Sequence, residues 1–172
     1  MSNVERFIEI LESQKWHLYH FTDTRNIDNI RLHGLLATAE IRRKNLPVIF
    51  GGNQWSLDAD IAKGMDRYVH LCFLRSHPME YIAKQQGRIR ESCFLKIKPA
   101  VLRTFGTLIS KDVSNKAGAN LGPIESMIEN IDLEVIYTRA DWRDENVKER
   151  LKAAKKSEAL IPLSIPLNLI EL

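Results

Sequence analysis

RYVHLCFL, residues 67–74, is the strongest strand in the sequence. Val69, Leu71 and Phe73 alternate with Tyr68, His70 and Cys72, and both sets are largely apolar. That pattern belongs to a strand covered on both faces, at the centre of a sheet. Just beyond it, Pro78 stands where a helix begins and Gly87 where it ends. CFLKIK (93–98) alternates again, with Cys93, Leu95 and Ile97 on one face. Upstream, LYHF (18–21) reads as a short aromatic strand. Thr22 to Thr24 then offer caps for a helix that continues through Ile27, Ile30 and Arg31 and stops at Gly34. Ser2 and Glu5 form a capping box for a helix over residues 3–14, whose apolar face is Val4, Phe7, Ile8 and Leu11. Short helices are expected over 38–46 and 58–65, on either side of a loop, PVIFGGNQWS (47–56), broken by Gly51-Gly52. Downstream, SKDVSNKAGANLG (110–122) reads as a loop long enough to be functional. A short helix over 123–130, a strand LEVIY (133–137), and a helix capped by Asp144 with Val147, Leu151 and Ala154 on one face come next. EALIP (158–162) and IPLNLIEL (165–172) are the last strands. Helices and strands are interspersed without a regular βα repeat, which predicts an α+β fold.

The 172 residues suit a single domain spanning 1–172. With 44% hydrophobic and 27% charged residues, disordered and fibrous classes are excluded. The net charge of +3 permits a nucleic-acid partner without demanding one. Cys72 and Cys93 can build neither a disulfide framework nor a four-cysteine zinc site. No basic start with an apolar run opens the chain, and no stretch reaches the ~18 apolar residues of a membrane helix, so the expectation is a soluble, cytoplasmic protein without a membrane partner. GxGxxG after a strand, a P-loop lysine and a GxSxG elbow are all missing, and His17, His20, His33, His70 and His77 show no HExxH spacing.

Four constellations have chemistry to offer. Tyr19-His20-Phe21-Thr22 with Asn26 offers a histidine and a threonine to ribose hydroxyls. Arg42-Arg43, next to Lys44, can clamp a pyrophosphate, because guanidinium groups match phosphate oxygens in bidentate fashion. Glu158, ahead of the apolar ALIP, is a carboxylate at the start of a buried strand, suited to stabilising a cation or taking a proton. In the loop, Lys111, Asn115 and Lys116 can follow a phosphate backbone, and Phe50, Trp55 and Trp142 can stack on bases. Each has a bland alternative: a satisfied histidine, a solvated helix face, an edge glutamate, a packing anchor.

Three blocks, in order along the chain, resemble the DarT-type DNA ADP-ribosyltransferase toxins. LYHFTDTRNIDNIRLHGLL (18–36) is similar to the family's opening, RYVHLCFLRSHPMEYIA (67–83) to its central strand and Pro-Met turn, and KKSEALIPLSIPLNLI (155–170) to its terminal glutamate segment. The resemblance implies a split, bent β-sheet with flanking helices around an NAD cleft. It also implies transfer of ADP-ribose from NAD, as co-substrate and with no metal, to a base in single-stranded DNA. His20, Phe21 and Thr22 would hold the nicotinamide ribose and amide region. Asn26 falls in the NAD-contacting turn, and Gly34 and Leu35 lie in the Gly-Leu-Leu that closes the helix. Arg43 or Arg42 would serve NAD binding and base activation. Tyr68 and Met79 lie around the nicotinamide pocket, and Glu158 would be the catalytic glutamate. Trp55, Lys111, Asn115 and Lys116 are the expected DNA contacts. His70-Leu71-Cys72-Phe73 departs from the family's Pro-Phe-Tyr-Phe, and the stretch from Gly52 to Tyr68 is longer than in thymine-directed members. NKAG (115–118) and DWRD (141–144) look like the guanine-directed branch. A toxin–antitoxin or phage-defence role is implied, with a macrodomain-type or NADAR-type hydrolase as antitoxin. Glu158 is expected to stabilise an oxocarbenium-like transition state, or orient the ribose hydroxyl, and to deprotonate the incoming amine. The alternatives are an ADP-ribosyltransferase acting on protein or RNA, and a non-catalytic nucleic-acid-binding module.

Overall fold

The computed structural model describes residues 1–172. Nine strands are present: β1 (Leu18–Asp23), β2 (Leu35–Leu36), β3 (Tyr68–Cys72), β4 (Ser92–Ile97), β5 (Leu108–Ser110), β6 (Leu121–Pro123), β7 (Glu158–Pro162), β8 (Ser164–Ile165) and β9 (Ile170–Glu171). Seven of them form one antiparallel sheet in the order β6-β5-β7-β3-β1-β4-β9, and β2 and β8 pair separately. The RYVHLCFL segment is central, as its two apolar faces predict, since β3 lies between β7 and β1.

The pairing is uneven, and this decides where a ligand can enter. β1 pairs with β4 along its whole length, from Leu18↔Ile97 to Asp23↔Ser92. β3 pairs with β7 over all five residues, from Tyr68↔Pro162 to Cys72↔Glu158. Between β1 and β3 the only registered pair is Tyr19↔Cys72. The sheet is therefore split into two halves hinged at one point. Past that point the His20 ring bridges the gap, with Nδ1 at 2.9 Å from the His70 carbonyl.

The helices are α1 (Asn3–Ser13), α2 (Ile27–His33), α3 (Thr38–Arg43), α4 (Gln54–Lys63), α5 (Pro78–Gln85), α6 (Ile124–Met127), α7 (Leu133–Tyr137) and α8 (Glu145–Ala154). Ser2 caps α1 by accepting the Glu5 N–H. The buried face of α1, Val4, Phe7, Ile8 and Leu11, joins Val69 and Leu71 of β3, and Phe73 just beyond it, in the core, with Phe7 edge-on to Phe73 at 6.4 Å. Tyr68, His70 and Cys72, on the alternate side of β3, line a cavity.

Three local expectations are corrected. LEVIY is not a strand but the helix α7. Its β-branched residues suit either state, and tertiary contacts decide. Asp132 accepts the Val135 N–H at 3.2 Å, Arg150 clamps Asp132 and Glu134, and Tyr137 stacks on Trp16 at 4.7 Å. IPLNLIEL is not one strand. Pro166 leads into a short 3-10 turn over Leu167–Leu169, so Ile165 pairs with Leu35 and Ile170 with Ile97, in different sheets. The loop 47–56 ends early, because Asn53 accepts the Ser56 N–H at 2.8 Å and starts α4 at Gln54.

Gly34 ends α2 as predicted and fixes the β2–β8 contact. Its φ is 73°, and an added Cβ would lie 2.5 Å from the Ile165 carbonyl oxygen. Gly34→Ala is expected to cost about 2 kcal/mol through left-handed strain and this clash, read as a lower urea midpoint.

Candidate active site

The cavity opens where the sheet splits and holds about 210 Å³. Its wall brings together eleven residues singled out in the sequence: His20, Phe21, Thr22, Asn26, Gly34, Leu35, Phe50, Tyr68, Met79, Asn115 and Glu158. Residues 46 and 48–52 and helix α4 also contribute to the lining. Gly51 is needed there, because a Cβ would lie 2.7 Å from the Phe21 ring. Asn26 fastens this segment to the sheet. Its Nδ2 donates to Ile49 O at 2.8 Å and Thr22 Oγ1 at 3.0 Å, and its Oδ1 accepts the Ile49 N–H at 2.9 Å.

Glu158 is the centre of the polar network. It starts β7, is only 5% exposed, and is flanked across the sheet by Cys72 and Ser110. Its Oε2 accepts the Ser114 N–H at 2.9 Å, and His70 Nδ1 lies 3.7 Å from that oxygen. His77 Nε2 lies 3.9 Å from Oε1. The histidine protons follow from their partners. His77 caps α5 by accepting the Met79 N–H on Nδ1, so its own proton sits on Nε2, toward the carboxylate. His70 Nε2 faces only the Met65 carbonyl, at 2.9 Å, and must donate to it. Burial disfavours the His70 imidazolium, but Glu158 more than offsets it, and the pKa rises to about 9. Burial likewise opposes the Glu158 carboxylate, yet His70, His77 and the Ser114 N–H hold its pKa well below the usual range. The site therefore contains a stabilised ion pair at neutral pH.

His20 behaves differently. Burial lowers its pKa to about 4, so the ring is neutral. Its Nδ1–H is committed to the His70 carbonyl, which leaves Nε2 as a bare acceptor for a ligand hydroxyl. Cys72 lines the same cavity, but burial and the Glu158 charge push its thiol up to about 12, far from a reactive thiolate.

Other predicted residues lie elsewhere. Arg42 is paired with Asp66, and Arg43, 66% exposed at its side chain, is paired with Glu40 at 2.8 Å. Neither lines the cavity, although Thr38 and Ile41 of the same helix do. Trp55 is 72% exposed on α4, and Trp142 is exposed with Arg143 5.6 Å over its ring. Both are outside the cavity, whereas Phe50 lines it. Lys111 and Lys116 are exposed on the loop, Lys116 lying 3.7 Å from Asp112. Asn115 turns inward and donates to Ser56 Oγ at 3.1 Å.

Sequence reasoning missed His70, His77, Ser114 and Asp60. A signal for His70 existed, as the polar member of an otherwise apolar strand. Nothing local marks the others. Asp60 lines the cavity with its buried Oδ1 unpartnered, and burial raises its pKa.

A family model described as ssDNA thymidine ADP-ribosyltransferase, DarT, matches residues 19–172. Thermosipho africanus DarTG, in complex with ADP-ribose, is similar with a TM-score of 0.66 at 18% identity over 91% of this chain. The present chain spans 43% of that protein's length. Thermus sp. 2.9 DarT in complex with ADP-ribosylated ssDNA is similar with a TM-score of 0.63 at 19% identity, covering 90% of this chain and 78% of that one. The same Thermus protein in complex with NAD+ gives a TM-score of 0.58 at 19% identity, with the same coverage. At these identities the likeness is one of fold. No curated protein matches the chain. Because the family model runs from β1 to the last residue, and so takes in every element that lines the cavity, the chain belongs to the DarT family.

Proposed function

We propose that the chain transfers ADP-ribose from NAD to a base of single-stranded DNA and releases nicotinamide, with guanine as the favoured base. The observation that carries this reading is Glu158: a buried carboxylate, held ionised by two histidines and a backbone N–H, in the cavity of a DarT-family fold. The cavity also suits a nicotinamide riboside. His20 Nε2 is an available acceptor, Thr22 and Tyr68 add polar groups, and Phe21 and Met79 supply apolar surface. NAD supplies the ADP-ribosyl group and nicotinamide as leaving group. Glu158 faces the cation that develops at the ribose, and the fixed charge costs no reorganisation when that cation forms. His70 and His77 hold the carboxylate in one orientation. Arg42 or Arg43 reaches the pyrophosphate by exchanging its carboxylate partner for phosphate oxygens.

The guanine preference rests on the likeness of NKAG (115–118) and DWRD (141–144) to the guanine-directed branch; the family's description names thymidine. Single-stranded substrate fits this chemistry, since a paired base hides its reactive edge. An enzyme of this kind damages its own host's DNA, so a toxin role in phage defence, countered by a macrodomain-type or NADAR-type hydrolase, follows from the same reading.

Mass spectrometry of four single-stranded oligonucleotides, each with one reactive base, tests the proposal after incubation with NAD. An adduct on guanine is expected. An adduct on thymine keeps the enzyme and overturns the base. Nicotinamide release without a DNA adduct points to a protein or RNA target. DNA binding without NAD consumption leaves a binding module.

The DNA-contact assignments carry their own prediction. Trp55→Ala is expected to weaken oligonucleotide binding roughly tenfold in Kd, as loss of one stacked base does. Replacing Lys111 and Lys116 together by Ala is expected to flatten the salt dependence of binding by up to about 1.4 in log–log slope. A salt titration by fluorescence anisotropy reads both.

A further inference from the structure

Asp60 is a second carboxylate in the cavity, contributed by α4. Ser56 and Asp60 lie one turn apart on the same face of that helix, and both line the cavity. Two consecutive residues of the 111–120 loop set this face relative to Glu158. The Ser114 N–H donates to Glu158 Oε2 at 2.9 Å, and Asn115 Nδ2 donates to Ser56 Oγ at 3.1 Å. Glu158 faces donors on both its oxygens, whereas Asp60 Oδ1 is buried with none. A buried acceptor without a donor needs an explanation, and a substrate N–H supplies one.

We propose that Asp60, rather than Glu158, takes the proton from the base nitrogen that attacks the ribose. This rests on the reading of the site as a DNA ADP-ribosyltransferase. The lone pair of the base nitrogen forms the new bond to C1′. The C1′ bond to nicotinamide breaks, and its electron pair leaves on the ring nitrogen, so nicotinamide departs neutral. The proton of the base N–H passes to the Asp60 carboxylate and then to water.

The division of labour follows from the surroundings. The donors around Glu158 keep it charged against the developing cation, and for the same reason make it a poor proton acceptor. Burial makes Asp60 more basic. The groups acting on it are His70 from β3, Glu158 from β7, Asp66 from the turn before β3, and the Asn115 amide. Two carboxylates whose surroundings drive their basicities apart take separate roles in one reaction.

Asp60→Asn and Asp60→Glu test this against wild type on an oligonucleotide that wild type modifies. Asp60→Asn is expected to lower kcat for DNA transfer about 10²-fold, the lower end for loss of a general base. Its NAD affinity, measured by calorimetry without DNA, is expected to stay within about twofold, since the lost group serves the base. The acid-side rise of transfer rate with pH disappears in Asp60→Asn, and Asp60→Glu restores it at a shifted pH. Unchanged transfer by Asp60→Asn overturns the proposal. So does a loss of NAD affinity of about tenfold or more, which makes Asp60 a group that holds NAD. If Asp60→Asn does not fold, Asp60→Glu decides: a shifted acid limb with unchanged NAD affinity supports the assignment, and an unshifted limb overturns it. A wild-type chain that labels no DNA overturns the underlying reading, and this assignment with it, before any variant is compared.

Discussion

Glu158→Gln is expected to lower ADP-ribose transfer on the order of 10³-fold, through loss of preorganised charge at the reacting carbon. The substitution keeps the shape and an acceptor for the Ser114 N–H, so the loop that carries Ser114 should stay in place. What it removes is the negative charge, and the effect belongs in kcat rather than in NAD affinity. It also has a signature independent of turnover. The His70 imidazolium is maintained against burial by Glu158, so its pKa should fall from about 9 toward or below the ordinary 6.5 in the variant. A histidine titration followed by NMR reads this directly, and a His70 pKa unmoved by Glu158→Gln contradicts the pairing. A fall in rate alone does not establish it.

His70→Ala is expected to destabilise the chain by about 3 kcal/mol near neutral pH, because it leaves the buried Glu158 carboxylate short of its charged partner. The Ser114 N–H and His77 remain, which keeps the expected cost at the low end for a broken buried pair. The pH dependence carries a definite sign. His70 is more basic folded than unfolded, so its share of stability is complete below about pH 6.5 and is lost as pH rises through about 9. Glu158 is more acidic folded than unfolded, so its share is present above about pH 4.5 and is lost as pH falls below that value. The gap between wild type and His70→Ala, measured by urea denaturation, should be widest between these limits and narrow toward pH 10. A gap independent of pH contradicts a charged His70.

Much of the scaffold was legible because its signals are local. The Ser2 and Glu5 pair marked the start of α1, Asp144 that of α8, and Gly34 the end of α2. The alternation in RYVHLCFL marked a central strand. LEVIY misled because a five-residue apolar run has no period of its own, and contacts with Trp16 and Arg150 decided its state. The same contrast divides the site. Glu158 and the His20–Thr22 segment stand out in the sequence, and they meet in one cavity. His70 and Glu158 are adjacent only through the β3–β7 register, which no local pattern encodes. Asp60 and Asn115 meet the site through the packing of α4 against a loop. Arg42 and Arg43 stand out in the sequence as well, but Asp66 and Glu40 pair with them outside the cavity, so a pyrophosphate clamp there requires that these partners be exchanged.

The most direct measurement counts nicotinamide released and ADP-ribose bound to DNA in the same reaction, using a single-stranded oligonucleotide, its duplex, and Glu158→Gln alongside wild type. Wild type should release nicotinamide and label the single strand in equal amounts, label the duplex far less, and do neither once Glu158 is replaced. Full labelling by Glu158→Gln, or nicotinamide release with no label on any strand, would contradict a DNA ADP-ribosyltransferase built around this glutamate.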